Sequence, residues 1–81
     1  MIEKWSLESI RARIELLIAE ECGRVEENLL GIVDSVRAIG VALCLEDEFS
    51  IPLQALSLQD MTTVSLLANK VHMILTNPEI S

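Results

Sequence analysis

The chain has 81 residues, 51% of them apolar and only two aromatic, and its net charge is −7. This length holds one small domain and excludes a dinucleotide-binding fold or an eight-stranded barrel, while the apolar content is too high for a disordered chain. The excess of acid disfavours nucleic acids and anionic membrane surfaces as partners and favours a basic protein. We therefore expect residues 1–81 to form a single domain with an aliphatic core.

The acid is concentrated in the middle of the chain. Residues 26–60 hold seven acids and one base, Arg37, and so carry a net charge of −6. Such an asymmetry is typical either of a solvated face that keeps a protein in solution or of an acidic docking surface. Composition leaves both interpretations open.

The sequence has no feature of a secreted or membrane-bound protein. Its first residues lack a basic region followed by an apolar run, and no stretch approaches the ~20 apolar residues of a membrane span. Cys22 and Cys44 have no metal-type spacing, and we expect them to be reduced thiols, a single structural disulfide being the alternative. We expect a cytoplasmic monomer with no metal site.

The first helix is predicted over Leu7–Cys22, with Ser6 as its N-cap and Gly23 as its C-cap. Apolar residues recur within it at three- and four-residue spacing, which predicts one buried stripe made of Leu7, Ile10, Ile14, Leu17 and Ile18. Residues 23–33 follow as a long connection. Its apolar residues predict that it lies on the core: Leu29, Leu30, Ile32 and Val33.

The second helix is predicted to begin at Asp34 or Ser35, with Asp34 as N-cap, and to end near Phe49, ahead of Pro52. Residues 53–61 are expected to contain a short helical turn. The last helix is predicted to begin after Thr62 or Thr63 as its N-cap and to run to about Leu75, where Asn77-Pro78 ends it. The expected fold is all-α: a small bundle of three main helices and one short helix, with a long loop between helices one and two.

The second helix is apolar on two faces. At 100° per residue, one stripe suffices to bury it: Ala38, Val41, Ala42, Leu45 and Phe49. A second strip, Val36, Ile39 and Leu43, lies well away from the first, with Glu46 and Asp47 on its flanks and Asp34 at its N-terminal end. This strip can pack inside, against the loop or the short helix, or it can be a partner surface with an apolar centre and an acidic rim. Both can hold if the strip is half buried.

Ser35 opens this helix, where the helix dipole and free backbone N–H groups favour an attached anion such as a phosphate. An Asp-Ser pair alone is weak evidence, because it also occurs as an ordinary helix cap. A hydrolase using Ser35 with His72, the only histidine, would need both side chains within hydrogen-bonding distance and an oxyanion site.

Three segments taken together strongly resemble an acyl carrier protein. That family has a Gly-x-Asp-Ser-Leu-type motif opening helix two, a Leu-Glu-Glu-x-Phe-Gly-Ile-type end of that helix, and a Thr-Val or Thr-Thr-Val start of the last helix. The corresponding segments here are residues 31–36 (Gly-Ile-Val-Asp-Ser-Val), 45–51 (Leu-Glu-Asp-Glu-Phe-Ser-Ile) and 62–64 (Thr-Thr-Val). They occur in the same order without an insertion, and the resemblance covers about residues 5–76.

The resemblance implies a carrier rather than an enzyme. A phosphopantetheinyl transferase would attach 4′-phosphopantetheine from coenzyme A to Ser35, beside Asp34, and the arm would carry acyl groups as thioesters in fatty-acid, lipid or polyketide-type biosynthesis. Helix two would be the recognition helix for acyl-activating or acyl-transferring enzymes with basic docking patches. By that resemblance, the partner-binding residues are Val36, Ile39, Leu43, Glu46 and Asp47.

Several positions depart from the family pattern. Val36 replaces the usual Leu, while Arg37 and Gly40 stand where fatty-acid carriers often have acidic or polar residues. These departures imply a specialised rather than housekeeping carrier. The motif around Ser35 also resembles carriers of D-alanine and other aminoacyl groups, so an aminoacyl or peptidyl carrier stays open. So does a helical protein-interaction adaptor without a prosthetic group, which would bind a partner helix through the second strip.

Overall fold

A computed structural model describes residues 5–76, which form three α-helices and two short 3₁₀ helices, with one isolated β-bridge and no strand in that range. Helix α1 spans Leu7–Cys22, α2 spans Ser35–Phe49 and α3 spans Val64–Thr76. The predicted all-α bundle with a long loop after the first helix is confirmed. The short helical turn expected in residues 53–61 is two 3₁₀ helices, Leu53–Ala55 and Leu58–Met61.

The ends of the first two helices follow their capping residues. The Ser6 hydroxyl accepts the Ser9 backbone N–H, and the Ser9 hydroxyl accepts the Ser6 N–H, which together close the start of α1. Gly23 ends α1 at φ 86°, a left-handed conformation that suits glycine. Ser50 ends α2 at φ 57° and is the one non-glycine residue with positive φ among residues 5–76. The predicted terminator Asn77-Pro78 lies outside the described residues.

The core is aliphatic apart from Phe49, whose ring meets that of Trp5 edge to face with centroids 4.7 Å apart. Helix α1 packs against both α2 and α3. The centre of the core consists of side chains from all three helices and from the loop: Ile10, Ile14, Ile18, Leu29, Val41, Leu45, Val64, Leu67 and Val71. The loop therefore lies on the core, as predicted.

Two predicted core residues are exposed instead. Leu7 is 41% exposed because it is the first residue of α1 and lies at the margin of the bundle. Leu30 is 69% exposed: its backbone N–H donates to Oδ1 of Asn28 in a tight turn, and within that turn Leu29 takes the buried place. The tight turn gives only one of these two neighbouring leucines a place in the core.

The loop is fastened to the start of α3. Backbone hydrogen bonds join Leu29 N–H to the Thr62 carbonyl oxygen and Val64 N–H to the Glu27 carbonyl oxygen, each at 2.9 Å. The Glu27 carboxylate also accepts the backbone N–H of Ser65 at 3.0 Å and pairs with Arg11. The loop consequently holds α3 beside α1 and delivers the chain to the start of α2.

None of the helices within residues 5–76 has the length and apolar character needed to cross a bilayer.

Candidate functional site

Ser35 lies exposed at the first position of α2. The preceding residue caps the helix as predicted: Oδ1 of Asp34 accepts the Arg37 backbone N–H at 2.8 Å, and the Asp34 carbonyl oxygen accepts the Ala38 N–H, also at 2.8 Å. The Ser35 hydroxyl therefore lies in solvent at the positive end of a 15-residue helix. A phosphoryl group joined to this oxygen would lie where the helix dipole stabilises an anion.

The second apolar strip of α2 is on the surface. Val36 is 79% exposed, Ile39 63% and Leu43 49%, whereas Val41 and Leu45 on the opposite face are buried. Of the two interpretations that the sequence left open, inward packing of the strip is wrong. The first stripe, together with α1, already fills the interior, so the strip stays in contact with solvent.

Acidic side chains accompany this strip. Asp34, Glu46 and Asp47 are all exposed, at the start of α2 and in its last turn. Glu48 is different, because its carboxylate pairs with the Arg13 guanidinium of α1 at 3.2 Å and is half-buried. The arrangement is an apolar centre with acidic ends, which is the pattern of a docking patch for a basic partner.

An apolar groove of about 240 Å³ opens beside Ser35, between α2 and residues 56–61. Small side chains one turn apart on α2, Ala38 and Ala42, leave room for it. The groove is lined by Ser35, Ala38, Ile39, Ala42, Leu56, Ser57, Leu58 and Met61. His72, the suggested base of a hydrolase, is not among these residues. The lining of this groove is mostly apolar and contains no histidine.

Arg37 faces away from the groove, toward α1. Its Nη1 donates to the Glu21 carbonyl oxygen at 3.1 Å, in the last turn of Leu7–Cys22, a turn that contains no cation of its own. A positive charge at a helix C-terminus is stabilised by the helix dipole and satisfies a carbonyl group without a partner in the helix. Sequence reasoning noted Arg37 as the one base of residues 26–60 and as a departure from a family pattern, but it did not predict this contact, because nothing local links Arg37 to a residue 16 positions earlier.

Gly40 lies against the side chain of Glu21 in α1. A Cβ atom added there would lie 2.6 Å from Oε2 of Glu21, so the glycine gives room to that carboxylate. The Cys44 thiol, one turn further along α2, donates to Oε1 of Glu21 at 3.7 Å. Burial, and then the negative charge of Glu21, raise the pKa of the Cys44 thiol and keep it protonated at neutral pH. Both cysteines are free thiols.

Within residues 5–76, no group of three or more His, Cys, Asp and Glu side chains is placed to hold a metal ion. Comparison of the chain with protein-family models, with curated proteins and with solved structures gives no match.

Proposed function

We propose that this chain is an acyl carrier protein whose Ser35 receives 4′-phosphopantetheine from coenzyme A. The observation that supports it most is the setting of Ser35: an exposed hydroxyl at the N-terminus of α2, after an Asp34 cap, at the mouth of an apolar groove. The three motifs that resemble the family fall at the start of α2, at its end and at the start of α3. The bound arm would supply a terminal thiol that holds cargo as a thioester.

The residues around Ser35 are suited to such a group. The hydroxyl is accessible to a transferase, and the first backbone N–H groups of α2, with the dipole behind them, favour a phosphate there. Asp34 would keep the helix start in place through its bond to the Arg37 N–H. A long arm raises the local concentration of its cargo at successive partner enzymes.

The test is the intact mass of the unmodified protein before and after treatment with coenzyme A, Mg²⁺ and a broad-specificity phosphopantetheinyl transferase. We expect a gain of one phosphopantetheinyl group, which Ser35→Ala abolishes. Ser57→Ala is the matched control, because Ser57 is also exposed and lines the same groove. A wild-type chain without any gain would overturn the proposal.

Acyl cargo is proposed over aminoacyl cargo because the groove beside Ser35 is apolar. A charged ammonium group has no acidic side chain to pair with among its lining residues, whereas an aliphatic chain would bury apolar surface there. We expect octanoyl loading to shift the NMR methyl signals of Ala38, Ala42 and Met61, and alanyl loading to leave them nearly unchanged. Equal spectra for the two forms would remove this argument for acyl cargo.

The partners are proposed to be the transferase and acyl-activating or acyl-transferring enzymes of the cytoplasm with basic docking patches. They would bind the exposed strip Val36, Ile39 and Leu43 and its acidic neighbours Glu46 and Asp47. Changing both acids to Lys should lower the kcat/KM of Ser35 modification through a higher KM, and added salt should shrink the difference. Glu8→Lys with Glu26→Lys makes the same charge change elsewhere, and an equal loss there would contradict the docking surface.

A helical adaptor is the second candidate, favoured by the exposure of Val36 and Ile39. An adaptor would bind a partner helix through this strip with no need of the Ser35 hydroxyl. Ser35→Ala would then leave binding and function intact, whereas the carrier loses all function.

A further inference from the structure

We infer that Arg37 is a specificity-determining residue of the α2 docking surface: it selects partners that place an acidic side chain opposite it, next to a basic patch opposite Glu46 and Asp47. Partners whose docking patch is uniformly basic are disfavoured. The inference rests on the proposed function, because it concerns the enzymes that approach Ser35.

The charge of Arg37 is not neutralised within residues 5–76. Arg11, Arg13 and Arg24 each form an ion pair with at least one glutamate. Arg37 instead binds an uncharged carbonyl oxygen, and its side chain is exposed. It is the one cation of Ser35–Phe49 and of residues 26–60. A full positive charge thus lies on the surface in an otherwise acidic segment.

The position of this charge is also constrained. The bond from Nη1 to the Glu21 carbonyl oxygen ties the guanidinium to the end of α1, so it is less free to swing away from an approaching cation than an untethered arginine. Arg37 is two residues from Ser35, so an enzyme acting on that hydroxyl comes close to it.

Along α2, Arg37 and the pair Glu46 and Asp47 therefore carry opposite charges, with the Asp34 carboxylate beside Arg37 at the helix start. Nine residues separate Arg37 from Glu46, which corresponds to about 14 Å along the helix axis. A partner with a matching pair of opposite charges is attracted both at Arg37 and at Glu46 and Asp47, so it binds α2 in one direction only. A wholly basic patch is attracted by Glu46 and Asp47 and repelled by Arg37. Repulsion of wrong partners is how charged surfaces gain specificity.

The experiment measures kcat/KM for Ser35 modification by a transferase with a uniformly basic docking patch, for wild type and Arg37→Gln. Glutamine removes the charge and keeps a polar side chain with an uncharged hydrogen-bond donor at this position. We expect kcat/KM to rise about two- to fivefold at low salt, mostly through KM, and the gain to disappear at high salt. Unchanged thermal unfolding of the variant would show that the effect is not a change in fold.

Lys70→Gln on α3 is the matched control, since it changes the net charge equally. A rise for Arg37→Gln alone supports the inference. No rise, a fall, or an equal rise for Lys70→Gln overturns it while Ser35 is still modified. If wild type is not modified at Ser35, the proposed function fails, and this inference fails with it.

The attractive half of the inference is tested with transferase variants in which each basic residue of the docking patch is changed to Glu in turn. When the changed transferase residue is the one that faces Arg37, we expect the wild-type chain to be modified faster than its Arg37→Gln variant. With the unchanged transferase, the order of the two chains is the reverse. If no variant reverses the order, Arg37 does not select an acidic partner.

Discussion

At the scale of single residues, Gly40 illustrates how a helix defect can have a local cause. Glycine in a helix interior costs about 0.5–1 kcal/mol relative to alanine, and here it leaves room for the Glu21 carboxylate. That carboxylate is the far end of a flexible side chain, and it accepts only the long contact from the Cys44 thiol. Glycine at position 40 therefore gives the Glu21 carboxylate room, but the packing of α1 on α2 does not require it.

We predict that Gly40→Ala raises the free energy of unfolding by up to about 1 kcal/mol, because Glu21 can move aside while the helix gains propensity. Urea unfolding of Gly40→Ala, with Glu21→Ala and the double variant as a cycle, measures this. If Gly40→Ala clearly lowers the free energy of unfolding and the double variant restores it, the clash with the Glu21 carboxylate outweighs the gain in helix propensity.

Ser50 holds the end of α2 in a conformation that glycine adopts more easily. Its φ of 57° is left-handed, a region that disfavours side chains by roughly 1 kcal/mol. Ser50→Gly should raise the free energy of unfolding by about 0.5–1 kcal/mol. Gly23→Ala is the converse, since Gly23 has φ 86° and no atom within 4 Å of an added Cβ, and it should lower stability by a similar amount. Thermal unfolding of both variants tests these two predictions. If both substitutions shift the stability in the same direction, the argument from backbone conformation is wrong.

At the scale of elements, the two faces of α2 differ in burial. One face packs in the core and stabilises the fold, and the other is exposed and is the proposed docking surface. Leu45 is fully buried and Leu43, two residues earlier, is 49% exposed. The same substitution at the two positions therefore removes very different amounts of buried surface.

We predict that Leu45→Ala lowers the free energy of unfolding by about 2–5 kcal/mol and Leu43→Ala by less than about 1 kcal/mol. In contrast, Leu43→Ala should raise the KM for Ser35 modification while the fold is intact. Denaturant unfolding and transferase kinetics on the same two samples test both halves. A Leu43→Ala protein that is as unstable as Leu45→Ala would place the strip in the core.

The start of α3 depends on a residue of the loop. The Ser65 hydroxyl and backbone N–H and the Arg11 guanidinium lower the pKa of the Glu27 carboxyl from 4.5 to about 2. A lowered pKa in the folded state means that Glu27 stabilises the fold above pH 4.5, and that this contribution is lost as the pH falls from 4.5 through about 2.

Glu27→Gln should therefore weaken the loss of stability between pH 4.5 and 2. Glu26→Gln, which removes the same charge from a side chain that pairs with Arg24 alone at 3.7 Å, should leave the pH slope closer to wild type. The test is the free energy of unfolding of wild type and both variants, measured between pH 4.5 and 2. Parallel curves for wild type and Glu27→Gln would show that the contacts of Glu27 do not stabilise its charged form.

At the scale of the whole molecule, α2 brings exposed apolar residues and acidic side chains together near Ser35. The exposed strip and the groove both adjoin Ser35, and exposed acids lie at both ends of α2: Asp34 at its start, and Glu46 and Asp47 in its last turn. The opposite face of α2, with Val41 and Leu45, is buried, and Glu48 beside it pairs with Arg13 of α1. The face of α2 that carries the strip is therefore the one open to a partner.

Helix bounds, caps and the principal core stripes could be predicted from the sequence because their causes are local. Ser6, Gly23 and Asp34 act on their own helices, and the apolar spacing in Leu7–Cys22 and Val64–Thr76 reports a buried face directly. The exposed position of Ser35 at the start of α2 was also predicted from the sequence, because it depends on neighbouring residues, whereas the groove beside it is completed by residues 56–61.

Only the tertiary structure decided which way each remaining side chain turned. The exposure of Val36 and Ile39, the burial of Leu29 instead of Leu30, and the contacts of Glu21 with Arg37 and Cys44 all depend on which neighbouring element occupies the adjacent space. A sequence pattern states that a face is apolar, but burial needs a second surface against it. That surface comes from residues far away in the chain.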